Sequence, residues 1–141
     1  MRLYSGLVLG AALCGFMMQH AFPAARAQQG EKHGSTLWGG RDISLQMSAS
    51  GASIEFDCAH GAIAEAIKPD AHGEFSVAGT YTPEMGGPVR KDNPPRDLPA
   101  TYKGTISGDT MHLEVLLSDN TRQLPAFTLI RGSAGRVVKC R

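Results

Sequence analysis

The sequence has no excess of charge of either sign. Its 141 residues include 14 lysines and arginines and 13 aspartates and glutamates. Removal of an N-terminal segment containing Arg2 and Arg26 leaves twelve basic against thirteen acidic residues, a net charge near −1. This balance excludes a generally basic nucleic-acid-binding protein and a protein held at a membrane surface by a polybasic segment. We therefore expect no nucleic-acid partner.

Motifs of familiar catalytic sites are also missing. The chain contains no nucleophile elbow, no zinc-protease helix motif, no phosphate-binding loop and no dinucleotide fingerprint. Four histidines beyond residue 27 are scattered without the spacing of metal ligands; they are His33, His60, His72 and His112. We therefore expect neither a metal nor a cofactor, and favour a binding protein over an enzyme.

The N-terminal 27 residues have the three-part layout of a secretory signal. Arg2 gives a positive start, residues 3–18 are mainly apolar, and Ala25 and Ala27 place small residues before a cleavage point at Gln28. The alternative is an uncleaved anchor, but the apolar run is shorter than the about 20 residues that span a membrane. We expect a signal peptide (1–27), a flexible leader (28–36), a single β-domain (37–141) in the periplasm or outside the cell, and no stable membrane insertion after cleavage.

Two cysteines remain after this cleavage, Cys58 and Cys140. In an oxidising compartment two thiols most simply form one disulfide, here closing a loop of about 80 residues. The competing interpretation is a metal site formed by Cys58, His60 and Cys140. A Cys-x-His pair without a fourth ligand at a useful spacing is a weak metal signal, so we favour the disulfide.

Alternation of apolar and polar residues dominates the rest of the chain and predicts an antiparallel sheet with one buried face. Residues 61–68 fit a strand or a helix, and the neighbouring strands favour a strand. Gly79 and Gly104 fall on apolar faces, which indicates bends or close backbone approach. The other predicted strands are centred on 43–47, 54–58, 75–81, 102–106, 111–117, 127–129 and 137–140. About eight short strands predict an all-β meander, closed as a lipocalin-like barrel in preference to a sandwich.

Residues 82–99 interrupt this meander with five prolines among 18 residues. A connection this long in a compact domain is usually functional or disordered. One interpretation is a recognition loop that presents Glu84, Arg90 and Arg96. The other is a cover over one end of the barrel with its charges solvated.

Asp57 and His60 lie in the densest polar cluster and form an acid/base pair if they converge on a substrate. The alternative is that Asp57 orders a turn and His60 is a partly buried hydrogen-bonding residue. Trp38, the single tryptophan, either plugs an end of the core or stacks on a ligand. Asp57, His60, Glu84, Arg90, Arg96 and Trp38 are thus the candidate ligand-binding residues.

Three short motifs carry a resemblance that covers most of the domain. They are Trp38-Gly39-Gly40, Phe56-Asp57-Cys58-Ala59-His60-Gly61 and Gly86-Gly87-Pro88-Val89-Arg90. In these the chain resembles a group of small exported bacterial proteins with no assigned activity, which implies export and a single domain but no mechanism. The architecture is also similar to exported barrel inhibitors of metalloproteases and of lysozyme, at the level of fold alone.

These observations lead to one favoured function and two alternatives. We expect an exported non-enzymatic β-domain that binds a small ligand or a protein partner through the 82–99 segment. An inhibitor of a secreted hydrolase is the specific version. The alternatives are a small hydrolase using Asp57 and His60, with Arg90 as an anion clamp, and a purely structural component of the cell envelope.

Overall fold

The structure is a computed structural model that describes residues 34–88, 91–92, 94–118 and 124–140. These residues contain eight β-strands and no helix, and therefore no helix long and apolar enough to cross a membrane. The strands are β1 (Thr36–Gly40), β2 (Ile43–Ser48), β3 (Gly51–Phe56), β4 (Ala59–Ile63), β5 (Glu74–Pro83), β6 (Leu98–Ser107), β7 (Thr110–Leu117) and β8 (Phe127–Arg131).

The eight strands form a closed antiparallel barrel in which each strand pairs with its neighbour in sequence. β8 closes the barrel by pairing with β1, where Trp38 lies opposite Arg131 and Gly40 opposite Leu129. The all-β class and the predicted barrel are confirmed. Closure leaves none of these eight described strands as an outer edge of the kind at which open sheets associate.

The interior follows from the alternation in the sequence. Residues with apolar side chains point inward from every strand, and the largest fully buried ones are Trp38, Tyr102, Ile43, Leu45, Ile54, Met111, Leu113, Leu129 and Val115. The rings of Phe56, Tyr81 and Phe127 pack together, with centroids 5.3 and 5.5 Å from that of Phe56. Side chains thus fill the barrel, as expected for about eight strands.

Two inward-facing glycines make room for large neighbours. A Cβ on Gly79 would lie 2.8 Å from the Tyr102 ring, and one on Gly104 would lie 2.6 Å from the Phe75 ring. The added Cβ atoms would also lie 2.5 Å from the carbonyl oxygens of Ala62 and His112, which confirms the predicted close backbone approach. Tyr102 is held in this space by its hydroxyl, which donates to the carbonyl of Thr80 at 2.6 Å.

The sequence predicts the number of strands correctly but misplaces two of them. β1 begins at Thr36 inside the predicted leader, whereas the predicted strand at 137–140 is wrong. The predicted strand at 61–68 begins earlier and ends at Ile63. Cys58 does not end a strand but lies in the β3–β4 turn with a φ of 54°.

Residues 132–140, which we call the C-terminal strap, run back over the outside of β1. The amide of Gly132 donates to the Leu37 carbonyl at 2.7 Å, and the amide of Arg136 donates to the Gly40 carbonyl at 2.9 Å. Between these contacts Gly135 lies against Gly39, where a Cβ would be 2.1 Å from the Gly135 nitrogen. A glycine on the outer face of β1 therefore lets the strap lie directly on the barrel.

Candidate functional site

One end of the barrel, which we call the loop end, carries the turns β1–β2 and β3–β4, the long β5–β6 loop and the β7–β8 connection. The β5–β6 loop comprises residues 84–97, because Pro83 and Pro99 of the predicted segment belong to strands β5 and β6. The C-terminal strap also ends here, where Cys140 forms a disulfide with Cys58. This bond confirms the predicted pairing and engages both sulfurs of the alternative metal site.

The β5–β6 loop is anchored at both stems, and its described residues between them are exposed. At its start the Glu84 amide donates to the Cys58 carbonyl at 2.7 Å. At its end the Asp97 carboxylate accepts a hydrogen bond of 2.6 Å from Thr82, which is 4% exposed. Met85 between the stems is 66% exposed. The loop is therefore a held structure that presents an apolar side chain to solvent.

A cluster of four charged or titratable side chains joins this loop to the barrel and the strap. The Glu84 carboxylate lies 2.8 Å from Nδ1 of His60 and 3.1 Å from Nζ of Lys139. Lys139 also pairs with Glu55 and donates to the Ala59 carbonyl at 2.9 Å. Lys139 thus holds the end of the strap against β3, β4 and the stem of the loop.

These contacts shift the pKa values of two members of the cluster, Glu84 and Lys139. The hydrogen bond with His60, aided by Lys139, holds the pKa of the Glu84 carboxyl below its ordinary 4.5 despite partial burial. Partial burial lowers the pKa of Lys139, but the hydrogen bonds to Glu55 and Glu84 outweigh this and leave it raised above 10.5. The ion pair is favoured at neutral pH because each partner stabilises the charged form of the other.

Asp57 and His60 form hydrogen bonds with different partners. The Asp57 carboxylate accepts from the Val138 amide at 2.7 Å, whereas His60 contacts Glu84. A carboxylate beside one imidazole nitrogen is the arrangement that orients a general base. Here both carboxylates also serve contacts between barrel, loop and strap, and Asp57 and His60 share no hydrogen-bond partner among the described residues.

The remaining predicted site residues are not gathered at this cluster. Arg96 is exposed on the β5–β6 loop, and Arg90 lies outside the described residues. Trp38 is 1% exposed inside the barrel, beneath the Arg131 guanidinium at 4.4 Å from the ring centroid. Its indole N–H has no hydrogen-bond partner among the described residues. Trp38 therefore has the placement of a core side chain, which was the alternative to stacking on a ligand.

An open depression of about 630 Å³ lies on the outer face of β5, β6 and β7. Its lining includes Glu74, Lys103, His112 and Glu114, and none of the predicted site residues. Asp70 at its rim accepts the amides of His72 and Glu74 at 2.8 and 2.9 Å and so orders the preceding turn. In the described part of the chain no group of three or more histidine, cysteine or acidic side chains is placed to hold a metal ion.

Sequence reasoning missed Lys139 and Glu55, which complete the cluster around Glu84. Neither residue lies near Glu84 in sequence, and both occur in ordinary polar positions. The one available signal was the cysteine pairing, because a bond from Cys140 to Cys58 brings Lys139 to the turn that adjoins Glu55. Comparisons of the chain with protein-family models, with curated proteins and with solved structures found no match, so the geometry of the loop end is the basis for a functional proposal.

Proposed function

We propose that this chain is an exported binding module that recognises a protein partner with its loop end. The observation that carries the proposal is the β5–β6 loop, which is fixed at both stems while Met85 remains 66% exposed. A loop held in place loses little conformational freedom on binding, and this reduces the entropic cost of association. An exposed apolar side chain on such a loop is a suitable anchor for a protein interface.

The surroundings of the loop support the same surface. Val138, next to Lys139 on the strap, is 58% exposed, so an exposed apolar residue adjoins each partner of the Glu84–Lys139 ion pair in sequence. Large apolar residues beside a polar rim are the usual composition of a binding patch. Lys91, Asp92 and Arg96 are exposed on the same loop and supply charges of both signs for specificity.

The filled interior favours a protein over a small ligand as the partner. Barrels that carry a small molecule keep an internal cavity, whereas Phe56, Tyr81 and Phe127 pack across the interior near this loop end. Binding at the outer surface suits a protein, which covers a wide area with many weak contacts. A small ligand in the depression on β5–β7 is the alternative that the experiment below distinguishes.

The disulfide supports the proposed compartment. A Cys58–Cys140 bond is consistent with an oxidising environment. Together with the signal-like residues 1–27, it supports delivery to the periplasm or the exterior, where a secreted hydrolase is one class of partner. If the partner is a hydrolase, we expect its activity to fall in proportion to the amount of this protein added, up to an equimolar ratio.

Two matched surface variants test the proposal. Met85→Ser removes the exposed anchor on the loop, whereas Ile130→Ser removes a comparable side chain, 47% exposed, from β8. Proteins retained by the immobilised native chain from an extract of the exporting cells are purified and titrated calorimetrically against both variants. We expect Met85→Ser to weaken binding by about tenfold or more and Ile130→Ser to leave it unchanged.

Two results would contradict this assignment. Equal affinities of the native chain and Met85→Ser for every retained protein would remove the loop from the interface. A small molecule that is retained in native mass spectrometry and lost in a Lys103→Ala variant would move the site to the β5–β7 depression, which Lys103 lines.

A further inference from the structure

We propose that the Cys58–Cys140 disulfide is a redox-operated latch that holds the C-terminal strap on the loop end. In this proposal a dithiol reductant frees the strap while the barrel stays closed. Release of the strap is a property of the fold alone. Its consequence for a partner, loss of one side of the binding patch, rests on the proposed function.

The bond lies outside the network that closes the barrel. Closure depends on pairs between β1 and β8, which end at Arg131, whereas Cys140 is nine residues further along the chain. Cys58 lies in the two-residue turn between β3 and β4 rather than in either strand. Breaking the bond therefore removes no strand pairing and opens no interior surface.

The bond is also open to a reductant. Cys140 is exposed and Cys58 is partly exposed. Reduction requires a thiolate to reach one of the sulfurs, so access is a condition for exchange. A disulfide buried in the core would be closed to this attack, and this one is not.

The other contacts of the strap lie at the surface. Its amides at Gly132, Arg136 and Val138 bond to Leu37, Gly40 and Asp57. The Arg136 carbonyl accepts from the Asp42 amide, and Lys139 adds its ion pairs and a hydrogen bond to the Ala59 carbonyl. Val138 is exposed, and no strap residue belongs to the buried core. A segment held by surface hydrogen bonds can open locally without global unfolding, so the disulfide is the covalent contact that keeps the end of the strap in place.

The strap is coupled to the loop through the residue next to its cysteine. Lys139, adjacent to Cys140, is paired with Glu84 at the stem of the β5–β6 loop. Departure of the strap removes Lys139 from Glu84 and carries Val138 away from the loop end. The redox state would thus change both the charge and the apolar area of the proposed binding patch.

The chemical step is thiol–disulfide exchange. One thiolate of the dithiol attacks a sulfur of the Cys58–Cys140 bond and forms a mixed disulfide, and the displaced cysteine takes up a proton. The second thiol of the reductant then displaces the remaining cysteine. Two electrons and two protons pass from the dithiol, which becomes a disulfide, to Cys58 and Cys140, which become thiols.

The test is residue-resolved hydrogen exchange on the native chain before and after treatment with dithiothreitol without denaturant. We expect the amides of Arg136 and Val138 to exchange nearly as fast as in an unfolded chain, while those of β5, β6 and β7 remain protected, lowered only by the global stability that the bond contributes. The double variant Cys58→Ser/Cys140→Ser is the matched control. It should show the released-strap pattern with and without reductant.

Three results would overturn the latch. They are a bond that resists dithiothreitol until denaturant is added, strap amides that stay protected in the reduced chain, and strand amides that exchange as fast as in an unfolded chain after reduction. None of these readouts involves a partner, so failure of the latch and failure of the proposed binding function are separate results.

Discussion

Gly39 is the residue on which the position of the strap depends. A Cβ at this position would lie 2.1 Å from the Gly135 nitrogen and 2.5 Å from the Ser133 carbonyl oxygen, and both atoms are backbone. The strap would have to move away from β1, because no flexible side chain is available to yield. We expect Gly39→Ala to lower the free energy of unfolding by about 1–3 kcal/mol in a urea titration.

Gly34→Ala is the control for this substitution, because a Cβ on Gly34 meets nothing within 4 Å. It should leave the urea midpoint unchanged. Equal stability of Gly39→Ala and the native chain would mean that the strap does not lie on β1.

Glu84 makes the stability of the loop end depend on pH. Its folded pKa is below its ordinary 4.5, so its ion pairs stabilise the protein above that pH, and this contribution disappears as the pH falls through the lower folded value. Lys139 has the opposite dependence on pH. Because its pKa is raised, its ion pairs stabilise the protein below pH 10.5, and this contribution is lost as the pH rises through the higher folded value. The stabilising window of the pair therefore extends from about pH 4.5 to 10.5.

The Glu84→Gln variant tests the acid side of this window. At neutral pH it should be less stable than the native chain by about 0.5–1 kcal/mol, because the pair is partly exposed, and the difference should shrink as the pH falls below 4. The measurement is urea unfolding at a series of pH values, with Glu65→Gln as the control outside the cluster. A deficit that is constant at every pH would contradict the ion-pair account.

At the scale of single elements, the β5–β6 loop depends on the bond between Asp97 and Thr82. Thr82 is 4% exposed, so its hydroxyl depends on the Asp97 carboxylate for a hydrogen bond while the loop is in place. Asp97→Ala should therefore lower the free energy of unfolding by about 1–3 kcal/mol, the usual effect of losing a hydrogen bond to a charged group. Thermal unfolding of this variant beside Asp92→Ala, which changes an exposed carboxylate of the same loop, measures the effect.

An Asp97→Ala protein as stable as Asp92→Ala would show that the stem is not anchored there. It would also remove the main argument for a loop held ready for binding.

Strands with one buried face were predictable, and the elements without that pattern were not. Ile43, Leu45 and Met47 alternate with polar residues, so β2 is evident from the sequence. β1 lacks this signal because Gly39 and Gly40 have no side chains, and it becomes a strand through pairing with β2 and β8. The short apolar run at 137–140 suggests a strand, but closure of β1 onto β8 leaves it no strand of the barrel to pair with.

The candidate site was predictable only in part, for a related reason. Glu84 and His60 stood out as polar residues beside a loop and a turn, and the structure brings them together at 2.8 Å. The contact of Glu84 with Lys139 joins residues 55 positions apart and depends on the course of the strap. Contacts made by an irregular segment have no periodicity, so no sequence pattern indicates them.

For the molecule as a whole, the disulfide is a stabilising cross-link that closure does not require. It joins residues 82 positions apart, and in the chain-entropy model a loop of this length corresponds to about 4–5 kcal/mol. We expect Cys58→Ser/Cys140→Ser to lose about that much free energy of unfolding and to retain the circular dichroism of a β-protein, since domains are typically stable by about 5–15 kcal/mol. An unfolded double variant would mean that the barrel depends on the bond.

The central claim is that a filled, closed barrel presents its binding surface at the loop end. The most direct measurement is the hydrogen-exchange footprint of a purified partner on the native chain. The account predicts slowed exchange in residues 84–97 and in the strap around Val138, with the outer face of β5–β7 unchanged. A footprint centred on Glu74, Lys103 and His112, with the loop still exchanging freely, would contradict it.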